Sequence, residues 1–299
     1  TDMFTWRSIF LINATASTLI AVLIIWKLNK EWTPTLKEKF DFKGSVIYMI
    51  AISMLMYGLS KLPEIKAIGF TLAGLAGMFI FIKTELKTTF PVLNIKLFTQ
   101  NRVFALSNLS AFINYAATFA ISFMLSLFLQ YVMGIEATQA GMILVIQPVV
   151  MALVASFSGR LSDRKNPRKL AAIGMGSSAV GLLLLSFINQ DTSTSYILLA
   201  LFILGFGFGM FSSPNTNVIM GSVDRKVYGT ASAMVATMRN TGMMFSMAIA
   251  SLTIHWVLGK AQISIENTEL FVASTRVVFT IFTVLCSIGV YTSLVRSRE

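Results

Sequence analysis

The chain has 299 residues, 55% of them hydrophobic and only 12% charged, with 24 Lys and Arg against 13 Asp and Glu. A soluble domain carries roughly 25% charged residues, so a water-soluble globule is excluded. One cysteine and one histidine leave no disulfide framework, no metal site and little general-base chemistry, and no enzyme and no cofactor is expected.

In chain order, nine apolar runs are long enough to cross a bilayer as helices, at about 1.5 Å per residue. They fall at roughly 8–26, 44–60, 67–82, 103–130, 137–158, 170–187, 196–219, 229–257 and 270–294. The fold class is therefore all-α, a polytopic membrane protein with about nine transmembrane helices. Segment 27–43, with Trp32, Pro34 and mixed charges, reads as a surface connection between helix groups. Pro91 to Phe98 is too short to span. It reads equally as a small interfacial helix after a proline start or as an extended linker.

Charge tests the count. If the loop Gly159–Lys169 is cytoplasmic, alternation places 27–43, 83–102, 220–228 and the C-terminal tail on the same side. These segments hold 18 of the 24 basic residues, whereas the opposite side holds only Arg7, Lys61, Lys66 and Lys260. That bias is a positive-inside signal. It predicts an outside N-terminus, a cytoplasmic C-terminus and residence in the cell membrane. Because the net charge of +11 is spread between apolar runs, it points to topology and not to a nucleic-acid surface.

Span 103–130 carries a polar stripe, Ser107, Ser110, Asn114, Thr118, Ser122 and Ser126, at spacings of three and four. Such groups find no partner in lipid and should face other helices or a water-filled cavity. Asn114 and Thr118 are candidate cavity residues. Gln147-Pro148 interrupts the next span, because proline removes a backbone donor and kinks the helix; Gln147 is a cavity candidate and Pro148 a gating candidate. Gly205, Gly207 and Gly209 permit close helix approach. The polar end Ser212 to Asn217 contains Pro214 and reads as a hinge, with Asn215 a further cavity candidate. Arg239 lies about 15 Å into its span, counting from Gly229. An ionised Arg at that depth needs a partner or water, so Arg239 and Asn240 are coupling candidates; a structural inter-helix donor is the competing reading. Its face carries Ser232, Ala236, Gly242, Ser246 and Ala250, a surface for another helix. Arg276, nearer its helix end, reads as snorkelling to the outer interface. All 13 acidic residues fall in loops, at span ends or in the tail, and Glu136 is the nearest to a membrane-embedded proton carrier.

The loop Gly159-Arg160-Leu161-Ser162-Asp163-Arg164-Lys165-Asn166-Pro167-Arg168-Lys169 resembles the signature cytoplasmic loop of the major facilitator superfamily. Asn166 replaces the motif's usual Gly and still permits a left-handed turn. Gly159, Asp163, Arg164 and Arg168 are accordingly gating candidates. Trp6 to Asn13, Asp41-Phe42-Lys43-Gly44, Leu129-Gln130-Tyr131 to Gly134, Ala140-Gly141, Gln147-Pro148 and Arg239-Asn240-Thr241-Gly242 resemble segments of the fourteen-helix drug:proton antiporter family. The resemblance implies a partial major facilitator fold, the C-terminal portion only. Residues 1–27 would be the last helix of the N-terminal domain. Residues 28–102 would be a cytoplasmic linker, two linking helices and a short interfacial segment, and 103–299 a six-helix C-terminal domain. A first residue that is not Met agrees with sequence upstream. The implied function is efflux of drugs or toxic organic compounds by proton antiport with alternating access. Another small metabolite as substrate, or an inactive truncated membrane fragment, is the alternative. Expected partners are membrane lipid, a small organic substrate, protons and the missing N-terminal helices, with no nucleic acid.

Overall fold

The computed structural model describes residues 7–27, 41–89, 91–93, 95–259 and 267–295. Of the predicted surface connection 27–43, residues 28–40 lie outside the described residues, as does the tail at 296–299. All regular structure among the described residues is helical. The first helices are α1 (Arg7–Lys27), α2 (Phe42–Lys61), α3 (Ile65–Glu85), α4 (Lys96–Gln100), α5 (Arg102–Thr118) and α6 (Ile121–Leu127). They are followed by α7 (Ala137–Leu144), α8 (Ile146–Ser162), α9 (Pro167–Leu185), α10 (Thr194–Gly221), α11 (Tyr228–Leu258) and α12 (Thr268–Val295). Nine helical segments among the described residues are long and apolar enough to cross a membrane, in register with the nine predicted spans.

The chain divides into two compact units, residues 1–40 and 41–299. In the first, α1 leaves nearly every side chain exposed, as expected of a helix that is apolar all round and meets lipid or other helices.

In the second unit, α2 and α3 form a hairpin closed by glycines. A Cβ on Gly74 would fall 2.5 Å from the Leu55 backbone nitrogen, and one on Gly58 would fall 2.3 Å from Thr71 Oγ1. The same device joins α9 to α10. There a Cβ on Gly174 would lie 2.5 Å from Phe211 N, and one on Gly207 would lie 2.6 Å from Ser178 N. Between helices in lipid there is little hydrophobic drive, so close backbone approach supplies the dispersion contacts that hold them. Elsewhere in the bundle Leu125, Phe128, Leu182, Leu185, Phe279 and Phe282 belong to one buried core.

Several predicted elements take a different local form. Span 103–130 is two helices, α5 and α6, followed by a π-helical turn at Phe128–Val132. The break lies between Thr118 and Ile121, where the Ala120 N–H donates to Ser246 Oγ at 3.0 Å, so a side chain of α11 occupies the gap in the ladder. Span 137–158 divides into α7 and α8 at Val145, one turn ahead of Pro148, where the missing proline donor would have reached back. The short helix after Pro91 starts only at Lys96, and Leu93, Leu97 and Phe98 pack with Phe104, Ile219 and Met234. The predicted hinge at 212–217 is continuous helix: α10 runs through Pro214. Asn215 Nδ2 donates to the Ser107 carbonyl at 3.2 Å, and Asn217 Nδ2 donates to Ser162 Oγ. These cross-helix bonds tie the polar end of α10 to α5 and α8. Arg276 does not snorkel freely; its Nε donates to the Ile188 carbonyl in the α9–α10 connection.

Candidate functional site

The loop that carries the family-like motif is mostly helix. Helix α8 continues to Ser162 and α9 starts at Pro167, so only Asp163 to Asn166 connects them. Asn166 has φ of −59° and its side chain accepts from the Arg168 N–H at 3.0 Å. It is an N-cap followed by proline at the first helical position. The left-handed turn that Asn166 would permit is not taken: its side chain is used for capping, not its tolerance of positive φ. A Cβ on Gly159 would lie 2.9 Å from Ser213 Oγ, which places this glycine at the α8–α10 crossing. Asp163 and Arg164 are exposed, and Arg168 is half-buried.

A cavity of about 610 Å³ opens between α5, α6, α8, α10 and α11. Aromatic and thioether side chains form most of its wall, among them Tyr115, Phe123, Phe208 and Met243. Thr118, Gln147, Pro148 and Arg239 also line it, so four of the predicted residues converge on one space. The break between α5 and α6 opens this wall, since Thr118, Phe119, Ser122 and Phe123 all face it. Gln147 Oε1 is buried without a hydrogen-bond partner. Among the described residues the Arg239 side chain makes no hydrogen bond or ion pair, and no lining residue carries a carboxylate.

Other predicted residues lie elsewhere. Asn114 is fully buried in the bundle, outside the cavity lining, and both polar atoms of its amide lack partners. Asn215 ties α10 to α5 instead of facing the cavity. Asn240 is exposed beside Arg239 but does not line the space. The polar stripe divides accordingly. Ser107, Ser110 and Asn114 are buried among helices, whereas Thr118 and Ser122 reach the cavity. Sequence spacing could not separate these fates, because the stripe is split by a helix break that α11 supplies. Glu136 sits exposed at the N-cap of α7, without a capping bond. Glu85, by contrast, is 3% exposed, a buried acid that its place at a span end had concealed.

The family model described as Major Facilitator Superfamily matches residues 1–247 and, in a second match, 107–298. The riboflavin transporter RibZ of Clostridioides difficile is 24% identical over 301 residues, covering 100% of this chain and 65% of the relative. Multidrug resistance protein 3 of Bacillus subtilis is 28% identical over 256 residues, covering 83% of this chain and 49% of the relative. The chain thus spans about half to two thirds of the length of these curated relatives. A bacterial homologue of the human lysosomal transporter Spinster, solved in an inward-facing and occupied conformation, superposes with a TM-score of 0.55. That structure is 16% identical, with 85% of this chain and 65% of that chain covered, and it supports the fold.

These matches correct three expectations. The assignment to the C-terminal portion only of a fourteen-helix antiporter gives way to the superfamily at large, because its model engages the chain from residue 1 onward. The partial fold is likewise corrected to an all-α major facilitator fold with nine membrane-length helices among the described residues. The missing N-terminal helices are withdrawn as a partner on the same ground. The physical reason is internal symmetry: the halves of this fold are parallel structural repeats, so short motifs mark a kind of helix hairpin more reliably than its place in the order.

Proposed function

The chain belongs to the major facilitator superfamily and is a multi-pass membrane transport protein, not an enzyme; from that premise we propose that it exports drugs or other toxic organic compounds from the cell by proton antiport with alternating access. The observation that carries this reading is the cavity of about 610 Å³, with an apolar aromatic wall, an unpartnered Gln147 Oε1 and, among the described residues, an Arg239 side chain with no partner. An apolar pocket with a few convergent polar groups is what a small-molecule site requires. Aromatic rings stack on planar solutes, and thioethers adapt to varied shapes. Gln147 and Arg239 would hold the substrate's polar edge, Thr118 would add a hydroxyl, and Pro148 would let α8 flex as the cavity changes side. Gly159, Asp163, Arg164, Arg168 and Asn240 would serve gating and coupling. The six spans from 103 to 299 would form the transport domain, in a cell membrane with the C-terminus cytoplasmic, following the distribution of basic residues.

A second reading is favoured by Arg239. A cavity wall with a guanidinium and no carboxylate suits electron-rich carbonyls or an anion better than an organic cation. A planar metabolite is then the alternative substrate, and the riboflavin named for one relative is a practical probe. The test is counterflow and pH-gradient-driven transport in proteoliposomes holding the purified chain, with a cationic dye and riboflavin run side by side. Transport of either, driven by the gradient, supports antiport. Movement of neither against a gradient overturns it. Arg239→Ala should lower transport of the accepted probe by roughly tenfold or more, as expected for removing a charge-assisted hydrogen bond.

A further inference from the structure

Three parts of the chain meet at the start of α2, and the contact between them is made by two acids. Asp41 caps α2, its Oδ1 accepting the Gly44 N–H at 2.8 Å. Glu85, the last residue of α3, accepts the Leu93 N–H through Oε2 at 2.9 Å. Each carboxyl thus has one oxygen satisfied. The remaining oxygens, Asp41 Oδ2 and Glu85 Oε1, are buried and have no hydrogen-bond partner. They also face each other across Gly44, where an added Cβ would fall 2.2 Å from Glu85 Oε1 and 2.5 Å from Asp41 Oδ2. Glu85 is 97% buried (3% exposed), and its Oε1 is aimed into this space. The groups that act on it are the Asp41 carboxyl and the backbone N–H groups of Leu93 and Val92.

Two orphaned carboxyl oxygens held this closely, one on a side chain almost wholly buried, repel one another when both carry charge, and a positive centre between them would relieve that. A metal ion would ask for six or more oxygen ligands if calcium, or an octahedral shell if magnesium. Here two oxygens are already committed to backbone donors, and no group of three or more metal-ligating side chains exists among the described residues. One proton meets the need. We propose that Asp41 and Glu85 form a proton-binding site, sharing a single proton between Glu85 Oε1 and Asp41 Oδ2. The bound proton fastens the start of α2, the end of α3 and the 91–93 segment together. That segment leads through α4 into α5, the helix whose end opens on the cavity, so the site joins the α2–α3 hairpin to the transport bundle. When the proton leaves, two like charges remain side by side and the clasp loosens. The site is defined without reference to the cavity and goes beyond the transport reading.

The test uses the purified full chain in detergent, with no substrate and no gradient. The Asp41→Asn and Glu85→Gln variants keep a side-chain oxygen to accept the Gly44 and Leu93 N–H groups, and either amide can donate to the carboxylate that remains. Both should therefore fold and mimic the protonated pair. The expected result is a protonated-carboxyl C=O band in the infrared spectrum at neutral pH, absent from each single variant. The thermal midpoint of the wild type should fall as pH rises and the pair ionises, whereas both variants should flatten that dependence. No such band in the wild type, or a band that survives in both variants, overturns the shared proton. A midpoint raised by added calcium or magnesium in the wild type alone would also overturn it, in favour of a metal ion. Because neither readout needs transport, failure of the proton site and failure of the export reading are separate results.

Discussion

Gly242 on α11 shows how one missing side chain sets a crossing. A Cβ there would fall 2.7 Å from the Phe112 carbonyl and 3.2 Å from Ala116 N, both backbone atoms that cannot swing aside. One turn later Ser246 Oγ accepts the Ala120 N–H at the α5–α6 break, and after another turn Ala250 is fully buried. The row therefore brings α11 against α5 and α6 and supplies the acceptor for Ala120. Substituting Gly242→Leu should force the helices apart and cost about 1–3 kcal/mol, the usual range for overpacking, read as a lowered unfolding midpoint in detergent. Gly141→Leu should serve as the control and leave the midpoint unchanged, since no atom lies within 4 Å of its added Cβ. Equal loss in both would refute the crossing argument. The spacing of small residues on this face was legible in the sequence. The role of Ser246 was not, because its partner is a backbone group 126 residues away.

Helix breaks decide where the cavity lies. Pro148 frees the carbonyl one turn upstream, and α7 gives way to α8 at Val145. The second break, at Phe119–Ala120, has no proline and depends on a neighbour. Pro148→Ala restores a donor to the ladder and should stabilise the helix by on the order of 1 kcal/mol or more. The proposed flexing of α8 would then be slower, so the thermal midpoint should rise while the initial transport rate falls. A faster rate with the same rise in midpoint would show that the break is not used in transport. The proline was visible in the sequence. Hydropathy alone assigned one unbroken helix to 103–130, since breaks in lipid leave apolar composition unchanged when the freed backbone groups find partners within the protein.

The arrangement of loops tests the whole molecule. Cys286 is fully buried, so a cysteine placed in an exposed loop can be labelled without background. Lys165→Cys, in the α8–α9 connection, should react with a membrane-impermeant maleimide in inside-out vesicles and not in intact cells. Thr192→Cys, in the α9–α10 connection, should show the reverse. Labelling of both from one side would break the alternation on which the nine spans and the cytoplasmic C-terminus rest.

Membrane class, span number and the presence of a family-like loop were determined by the sequence itself. Each depends on local quantities, namely apolar length, the charge of connections, and the caps and prolines within a few residues. The convergence of Thr118, Gln147, Pro148 and Arg239 on one cavity, the withdrawal of Asn114 and Asn215 from it, and the burial of Glu85 beside Asp41 were decided by tertiary structure. Those facts depend on which distant helix fills a gap or covers a side chain. Periodicity says which residues share a face of one helix, but not what the face meets. An acid at a helix end reads as solvated until a second acid and a returning chain close over it.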